Sequence, residues 1–524
     1  MSSTTENVAW KPRANPWLIA VVVTLAAFME ILDTTIVNVA LPHIAGSLSI
    51  SSDDATWALT SYLVANGIVL TISGWLGSVF GRKRYFLICI AMFTVCSLLC
   101  GMAQSLSQLI VFRLLQGFFG GGLQPNQQAI VLDSFEPQKR GAAFAITAVA
   151  TVVAPVLGPV LGGYITDHAS WRWIFFINIP VGAFACFAVG ALVEDPPWAV
   201  RQSRSIDYIG LALITLGLGG LQVVMDRGED EGWFGSPLIV HLAMLAGLGL
   251  AGAVTWLLTA RDPVVNLRVL KDRNFAVSSA LIVSMSVLLY GTAVLIPQFA
   301  QATIGYTATW AGLLLAPGGL AVMLLIPPAG RLMKVVQLRY VIAVGFAIMG
   351  LGLVYSNTLV PSIDFRTLAA MRCLQTAGLG FLFVPISVMS YYSLPKSFGA
   401  DAAALFVMFR NVSGSIGISA ATALVTERTQ ARQAHLSTWL TPLNQPFNAL
   451  VAQYEQALRS LGRATTTLHH DAVGYTFQTL QHQSAVLAYA DVFIYGAVLA
   501  VAMIPLAMLL SPAKDSGQHS APMH

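Results

Sequence analysis

Two acidic side chains lie one helical turn apart in an apolar stretch near the N-terminus. Glu30 and Asp33 are three residues apart, so a helix places both carboxyls on one face. A charged side chain at the centre of a membrane helix costs at least ~2.5 kcal/mol, which makes such a residue a functional candidate by default. The pair could carry a proton or bind a substrate. Alternatively, Asp33 caps a helix break or pairs with a buried arginine for structure alone.

Three arginines lie in other apolar stretches. Arg113 and Arg372 do not lose their protons in proteins, so each needs a counter-charge, an aqueous cavity or backbone carbonyls. Arg113 either tunes a carboxylate or passes a proton through nearby water, or it is a structural tie between helices, and the functional and structural interpretations fit about equally well. Arg410 lies among glycines that permit close packing, and the sequence assigns it no role. The candidates for proton coupling or substrate binding are therefore Glu30, Asp33, Arg113, Gln116 and Arg372.

Glycines and prolines recur at helical spacing around residue 158. Gly158 and Gly162 are four residues apart and Gly163 follows, so one helix face can approach another helix closely. Pro155 and Pro159 remove backbone donors and bend the helix. This segment is predicted to be a gate or hinge.

A second glycine-rich segment, residues 74–84, ends in a basic cluster. Gly74 and Gly81 favour a tight turn, and Arg82 begins the run Arg-Lys-Arg. Such a cluster is suited to holding helix ends and lipid phosphates at a membrane surface. Anchoring of the topology alone also explains it.

The composition excludes a water-soluble protein. Of 524 residues, 56% are hydrophobic and 10% are charged, and the mean hydropathy is +0.71, which leaves too little charge to coat a surface in water. The net charge of +4 is distributed between apolar runs, which argues against nucleic-acid binding. All five cysteines lie in apolar runs and are interpreted as small core residues.

Sequence motifs of enzymatic chemistry are missing from the chain. It has no Gly-Lys pair for a phosphate-binding loop, no Gly-x-Ser-x-Gly elbow, no His-Glu-x-x-His helix and no cysteine pair at metal-ligand spacing. We therefore predict that the protein is not an enzyme, does not use ATP, and holds no cofactor and no metal.

Apolar windows long enough to cross a bilayer predict an all-α polytopic membrane protein with fourteen spans. They lie at residues 17–41, 57–79, 85–103, 108–129, 141–165, 173–193, 206–225, 238–259, 275–300, 308–328, 340–357, 367–392, 403–426 and 486–510. If both termini are cytoplasmic, eighteen basic residues fall on the inner side: Lys11, Arg13, Arg82, Lys83, Arg84, Lys139, Arg140, Arg201, Arg204, Arg261, Arg268, Lys271, Arg273, Arg331, Lys334, Arg339, Lys396 and Lys514. The short outer loops carry only Arg172, Arg227 and Arg366, a bias that the positive-inside rule expects.

The connection between the last two predicted spans, residues 427–485, is long, polar and on the outer side. Residues 444–463 are predicted to form an amphipathic helix, because apolar residues recur at helical spacing: Phe447, Leu450, Val451, Tyr454, Leu458 and Leu461. This stripe either packs on the protein's own outer face, which is the preferred interpretation, or docks a partner. His469, His470 and Asp471 are interpreted as solvated residues and not as metal ligands.

Three sequence matches in the same order indicate an internal repeat. They are Ala-Thr-Trp-Ala at 55–58 and again at 308–311, residues 74–85 and again 330–340, and Arg113-Leu-Leu-Gln116 and again Arg372-Cys-Leu-Gln375. The offsets of 253 to 259 residues nearly agree, so spans 1–6 and 9–14 are predicted to be parallel repeats. Spans 7 and 8 are then an insertion in a 6 + 2 + 6 arrangement, with boundaries at 1–205, 206–259 and 260–524.

Together these motifs resemble those of the fourteen-helix drug:proton antiporters of the major facilitator superfamily, of the Emr/Qac type, over nearly the whole chain. Residues 32–42 resemble the helix-1 motif of that branch, and residues 74–84 resemble the superfamily's loop motif. Arg113, Gln116 and Gly117 resemble the helix-4 motif that is linked to proton coupling. Residues 158–163 resemble the helix-5 antiporter motif, and residues 171–178 resemble the start of helix 6.

The resemblance implies a major facilitator fold and a proton-coupled antiporter that exports apolar or amphipathic small molecules, with the proton gradient as energy source. The alternatives are a dedicated exporter of one endogenous metabolite, fatty acid or siderophore, or a sensor of the same fold. It also implies the inner membrane of a bacterium, and a periplasmic adaptor and an outer-membrane channel as partners. One departure is Ser78, which stands where the loop motif usually has the aspartate of a gating latch.

Overall fold

Fourteen membrane-length helices form the body of the part of the chain that the structure describes. A computed structural model describes residues 12–196, 207–229, 231–395, 398–441, 443–461 and 467–512, and within these ranges all regular secondary structure is helical. The helices long and apolar enough to cross a membrane are numbered here as spans 1–14: Pro16–Leu48, Trp57–Phe80, Arg82–Met102, Leu106–Ser134, Lys139–Thr166, Trp173–Leu192, Tyr208–Arg227, Pro237–Thr259, Arg273–Ile304, Trp310–Val335, Leu338–Thr358, Phe365–Ser390, Gly399–Ser437 and Leu468–Met508. The prediction of an all-α polytopic protein with fourteen spans is confirmed.

Spans 13 and 14 are much longer than their apolar parts. The predicted spans 403–426 and 486–510 correspond to the helices Gly399–Ser437 and Leu468–Met508. Both helices continue beyond the apolar region, so the segment 427–485 is mostly helical. The length of an apolar run indicates only the part of a helix that lipid surrounds. The sequence therefore underestimates the lengths of these two helices.

A short helix, Gln445–Ser460, called the loop helix below, packs on the extension of span 14. Val451 and Leu458 on its apolar stripe form a buried cluster with Leu468 and Ala472. The preferred interpretation, in which the stripe covers the protein itself, is therefore confirmed. Residues 462–463 of the predicted amphipathic helix lie outside the described residues.

An even number of crossings places the two ends of the described chain at one face of the bundle, called the terminal face below; the loop helix lies at the opposite face. At the terminal face, Arg82 forms an ion pair with Asp133 at the end of span 4. Lys83 Nζ donates to the carbonyl of Gly190 near the end of span 6 at 2.7 Å. Of the basic residues predicted for the inner side, five lie outside the described residues: Lys11, Arg201, Arg204, Lys396 and Lys514.

Spans 2 and 13 meet closely at the terminal face. A Cβ atom on Gly74 would lie 3.0 Å from the carbonyl oxygen of Ala400. Gly81 follows the last residue of span 2 directly, and its φ of 87° favours glycine. The hydroxyl of Ser78 donates to the carbonyl of Trp75 at 2.8 Å, back onto its own helix. The close approach here therefore depends on a small residue and not on a charge at position 78.

Spans 4 and 12 are both interrupted part of the way along. Span 4 consists of Leu106–Gly120 and Leu123–Ser134. Span 12 consists of Phe365–Ala377 and Phe383–Ser390, with a 3-10 turn between them. The second part of span 4 carries a polar run that is buried inside the bundle: Gln124, Asn126, Gln127 and Gln128.

Spans 7 and 8 pack closely on each other. A Cβ atom on Gly249 would lie 2.6 Å from the backbone nitrogen of Gly217. Span 7 also contacts span 2, where the hydroxyl of Thr60 donates to Asp226. A side-chain hydrogen bond of 3.1 Å joins span 7 to span 13. Span 7 therefore touches helices from both ends of the chain.

Span 5 packs against span 1 through its small residues. A Cβ atom on Gly158 would overlap the hydroxyl of Thr35, and one on Gly162 would lie 2.9 Å from the carbonyl of Ile36. The helix stays continuous from Pro137 to His168 despite its two internal prolines. The contact therefore depends on residues without a side chain at two successive turns.

We expect Gly158→Ala to lower the melting temperature of the purified protein, because the added methyl group meets Thr35 and overpacking costs ~1–3 kcal/mol. The matched control is Gly46→Ala on span 1, where nothing lies within 4 Å of the added atom. That change should be neutral or stabilise the helix by up to ~1 kcal/mol. Thermal unfolding in detergent, followed by tryptophan fluorescence, measures both; equal melting temperatures for the two variants would contradict the packing argument.

Candidate functional site

Asp33 lies at the centre of a buried polar cluster. Its Oδ2 atom accepts a 2.6 Å hydrogen bond from Arg113 Nη1. Its Oδ1 atom accepts bonds from Gln116 Nε2 at 3.1 Å and Asn178 Nδ2 at 2.7 Å. Arg113 also donates from Nε to the carbonyl of Ala58 at 3.1 Å. Spans 1, 2, 4 and 6 therefore meet at one ion pair, and the counter-charge that Arg113 requires is Asp33.

Close packing of spans 2 and 4 brings Arg113 to this position. A Cβ atom on Gly117 would overlap the backbone of Tyr62, so only glycine permits the approach. The ring centroid of Tyr62 then lies 4.1 Å from the guanidinium carbon of Arg113, a cation–π contact. Arg113 is fully buried, and it is held by a carboxylate, an amide, a carbonyl and an aromatic ring.

Glu30 belongs to a separate network. Its Oε1 atom accepts hydrogen bonds from the Tyr62 hydroxyl at 3.2 Å and Asn66 Nδ2 at 2.9 Å, and its Oε2 atom accepts one from Gln124 Nε2. Glu30 is only 2% exposed, and these described partners are neutral. The sequence placed both carboxyls on one helix face; in the structure a guanidinium contacts Asp33, whereas the described hydrogen-bond donors around Glu30 are neutral.

Gln124 connects Glu30 to the second half of the chain. Its Oε1 atom accepts a hydrogen bond from Arg410 Nη2 on span 13. Arg410 is 3% exposed, and its guanidinium carbon lies 5.7 Å from the ring centroid of Phe383. The sequence assigned no role to Arg410; in the structure it is joined to Glu30 through one amide.

Arg372 on span 12 has surroundings similar to those of Arg113 on span 4. Three residues follow their counterparts by 259 positions: Arg372 after Arg113, Gln375 after Gln116, and Thr292 after Asp33. Arg372 Nη1 donates to Thr292 Oγ1 at 2.7 Å and to Gln375 Oε1 at 3.4 Å. The pairing of an arginine with an amide therefore recurs at span 12, but a hydroxyl stands in the place of the carboxylate.

A cavity of about 870 Å³ lies between spans 1, 2, 4 and 5 on one side and spans 9, 10 and 13 on the other, with span 7 completing the wall. Its size suits a drug-sized molecule. Among the described lining residues the charged ones are both acidic, Glu30 and Asp226. The rest are apolar residues with hydroxyl and amide groups among them, the amides being Asn38, Asn66, Gln124, Gln222, Gln298, Gln301 and Asn411. The ion pair of Asp33 and Arg113 lies behind this wall.

The cavity lies toward the opposite face of the bundle, and aromatic packing closes the terminal side. The rings of Phe144 on span 5 and Tyr391 after span 12 stack with centroids 5.9 Å apart. Tyr391 also packs on Phe406 of span 13, with centroids 6.0 Å apart. Pro159, one of the residues predicted to act in gating, lines the cavity itself.

Sequence reasoning missed several residues of these networks. They are Tyr62, Asn66, Gln124, Asn178 and Asp226. One signal was present, because the run Gln-Pro-Asn-Gln-Gln at 124–128 is polar within an apolar span. Neutral side chains cost less to bury than charged ones, so they stand out less clearly in a hydropathy analysis.

Comparisons with known proteins show which proteins this chain resembles in sequence and in fold. A sequence profile described as Major Facilitator Superfamily matches residues 23–418. The chain is 34% identical over 502 residues to the multidrug export protein EmrB of Escherichia coli K12, covering 95% of this chain and 96% of EmrB. It is 33% identical over 494 residues to the fatty acid resistance protein FarB of Neisseria gonorrhoeae, covering 94% of this chain and 96% of FarB. The fold is similar to that of the human organic anion transporter MFSD10, with a TM-score of 0.56, 13% identity, and 93% and 100% of the two chains covered.

We expect Arg113→Met to lower the free energy of unfolding by ~3–5 kcal/mol, because it leaves Asp33 buried without its counter-charge. Arg372→Met, at the equivalent position, removes bonds to a hydroxyl and an amide and should cost roughly 1–3 kcal/mol. Denaturant unfolding of both variants in the same detergent measures the difference. A loss for Arg372→Met as large as that for Arg113→Met would show that the two sites are energetically alike.

Proposed function

Because this chain belongs to the major facilitator superfamily, we propose that it is a proton-coupled antiporter that exports apolar or amphipathic small molecules from the cytoplasm or the inner leaflet. It is a multi-pass membrane transporter and not an enzyme. The observation that carries the proposal is the cavity of about 870 Å³ with the ionisable Glu30 in its wall. The export function in the name of EmrB, its relative from E. coli, supports it.

We further propose that spans 1–6 and 9–14 are two parallel six-helix units, at residues 1–205 and 260–524, with spans 7 and 8 at residues 206–259 as an insertion. The interruptions of spans 4 and 12 support this division. The equivalent surroundings of Arg113 and Arg372 support it too. Substrate would bind between the two units, and access would alternate as the units rock against each other.

Glu30 is the better placed of the two acids to exchange a proton with substrate. It lines the cavity, and its described hydrogen-bond partners are neutral. Asp33 does not line the cavity and is already paired with Arg113 at 2.6 Å. In this proposal Asp33, Arg113 and Gln116 hold spans 1, 2 and 4 in the arrangement that Glu30 needs, and Arg372 has the corresponding place in the second half.

The chemistry of the cavity favours neutral or cationic amphipathic substrates. Its described charged residues, Glu30 and Asp226, are acidic, so a bound anion would meet repulsion at short range. The amide side chains around the wall offer donors and acceptors in many directions. Such a surface suits compounds of varied shape better than one fixed ligand.

The proton gradient is the energy source in this proposal, and no cofactor takes part. The protein would lie in the cytoplasmic membrane of a bacterium with both termini inside. The basic residues at the terminal face support this orientation, because positive charge accumulates on the cytoplasmic side. Gating would use the contacts of Gly74, Gly81 and Arg82 at that face and the small residues and prolines of span 5: Pro155, Gly158, Pro159, Gly162 and Gly163.

A dedicated exporter of one fatty acid or other endogenous metabolite is the second candidate. The relative from N. gonorrhoeae carries fatty acid resistance in its name, which favours this candidate. A fatty acid anion would place its carboxylate in a cavity whose described charges are negative, which disfavours it. Competition between fatty acids and unrelated neutral and cationic compounds in one transport assay separates the candidates.

We expect Glu30→Gln to insert and fold but to lose substrate-driven proton movement in proteoliposomes, because the amide cannot bind a proton in its place. Asp33→Asn should reduce transport as well, since it removes the carboxylate that holds Arg113. Fluorescence of a pH-sensitive dye during substrate addition measures both. Glu194→Gln at the terminal face is the matched control, since Glu194 is paired only loosely with exposed Arg13 at 3.9 Å. Parental proton movement in Glu30→Gln would exclude Glu30 as the carrier.

We also propose a periplasmic adaptor and an outer-membrane channel as partners. Exposed apolar residues at the two ends of the loop helix support an interface there, with Trp439 60% exposed, Leu443 94% and Leu461 78%. Spans 13 and 14 hold this region firmly, because Arg432 donates to both carboxylate oxygens of Asp491 at 2.7 and 3.0 Å.

Deletion of residues 444–463 is expected to abolish export from whole cells while leaving transport in vesicles intact, because vesicles need no second membrane to be crossed. The triple change of Trp439, Leu443 and Leu461 to Ser tests the same surface without uncovering Leu468. Equal losses in cells and in vesicles would argue against an adaptor at this face and for a structural role of the loop helix.

A further inference from the structure

A buried link joins the two halves of the bundle at Glu30. Gln124 on span 4 donates from Nε2 to Glu30 Oε2 and accepts at Oε1 from Arg410 Nη2 on span 13. All three side chains are almost inaccessible to solvent, with exposures of 2%, 6% and 3% for Glu30, Gln124 and Arg410. A carboxylate of the first half and a guanidinium of the second are therefore bridged by one amide.

The chemistry of the three groups fixes the direction of the amide. A guanidinium only donates hydrogen bonds, so Gln124 must present its oxygen to Arg410. Its NH₂ group then points at Glu30, which already receives bonds from Tyr62 and Asn66. Glu30 is thus surrounded by donors, an arrangement that suits an ionised carboxylate, which only accepts.

Protonation of Glu30 disturbs this arrangement. The new O–H group needs an acceptor, and Gln124 can supply its oxygen only by turning its NH₂ group toward the guanidinium of Arg410. A neutral carboxyl is also a weaker acceptor than a carboxylate, so the bond from Gln124 loses its charge assistance. In either case the bridge between Glu30 and Arg410 weakens.

Other charged or titratable groups also face Glu30. Tyr62 on span 2 contacts both Glu30 and the guanidinium of Arg113. Tyr290 on span 9 lines the same cavity and interacts electrostatically with Glu30 and Arg410. Arg113 is already paired with Asp33 on span 1. Arg410 is therefore the cation of the second half that responds to the charge of Glu30.

The link lies at the floor of the cavity. Glu30 and Gln124 line the cavity on one side. On the other side, Gln124 and Arg410 line a small void of about 10 Å³, which is about the size of one water molecule and is bordered by Thr24, Thr147 and Gln128. The link therefore lies between the cavity and this void, and a substrate route through this point would require the bridge to open.

We propose that Gln124 and Arg410 are positioning residues that hold the floor of the cavity closed while Glu30 is ionised and release it when Glu30 binds a proton. The proposal rests on the proposed function, in which Glu30 is the proton carrier. In this proposal the two halves move when one proton binds to Glu30, because the bond between the halves depends on the charge of that carboxyl.

The test is a distance measurement across the terminal face as a function of pH. Phe80 and Val335 are exposed at the ends of spans 2 and 10, in the two halves, and accept spin labels in full-length protein whose five native cysteines are replaced. In the parent, the population with a long distance between labels should grow as the pH falls. Glu30→Gln should show this open population at every pH.

Gln124→Leu and Arg410→Leu should behave like Glu30→Gln, with the ratio of open to closed protein at alkaline pH raised roughly tenfold, the effect of losing one charge-assisted bond. Adding Arg410→Leu to Glu30→Gln should change nothing further, because both act on one bridge. Arg410→Lys keeps a cationic donor and should restore part of the pH response. If Arg410→Leu does not fold, the distance response of Gln124→Leu alone tests the proposal.

The matched control is Gln127→Leu. Gln127 lies one turn further along span 4, is 2% exposed, and donates to Thr24 and Thr147 within the first half at 3.2 and 2.9 Å. It should lower stability but keep the parental pH response. A parental response in Gln124→Leu, or an additive effect of Arg410→Leu on Glu30→Gln, overturns the proposal.

Transport by the same variants separates this proposal from the proposed function. If Glu30→Gln carries out proton-coupled export at the parental rate, the proposed function is wrong in naming Glu30 as the proton carrier. Loss of export in Glu30→Gln, together with a parental distance response in Gln124→Leu, means that only the bridge is wrong.

Discussion

A charge buried in a membrane protein must find its partner inside the protein, because lipid offers none. The pair of Asp33 and Arg113 meets this requirement with a 2.6 Å hydrogen bond between fully enclosed side chains. Amide groups of Gln116 and Asn178 complete the shell around Asp33. Four spans of the first half converge on this pair, so the packing of those helices and the pairing of the charges depend on each other.

The need for a partner inside the protein is met differently for the two acids of span 1. Asp33 has a permanent cation beside it and lies behind the cavity wall, which suits a structural role. Glu30 is one turn away, in the wall, and is stabilised by neutral donors. A carboxyl with neutral partners can change its charge at lower cost than one in an ion pair. Two acidic residues one helical turn apart therefore differ in how readily their charge can change, because their partners differ.

The surroundings of the two buried arginines, Arg113 and Arg372, are similar in layout but not in charge. Arg372 and Gln375 repeat Arg113 and Gln116, whereas Thr292 replaces the acid. The acids that the structure describes in the cavity wall come from spans 1 and 7, and the second half contributes Arg410 at the floor. An interface with an acid on one side and an arginine on the other is sensitive to protonation, whereas close glycine contacts such as that between spans 1 and 5 are not.

The sequence by itself determined the fourteen spans, because apolar length is a property of consecutive residues. It also singled out Glu30, Asp33, Arg113 and Arg372, because a charge in an apolar run is expensive wherever the run packs. Only the tertiary structure decided the partners: Asp33 pairs with a residue 80 positions away, and Gln124 meets Arg410 across 286 positions. Contacts between helices depend on how each helix is rotated and tilted, and hydropathy carries no information about either. The neutral amides around Glu30 escaped detection because they cost less to bury than charges. Spans 13 and 14 proved longer than their apolar parts because their extensions lie outside the apolar region.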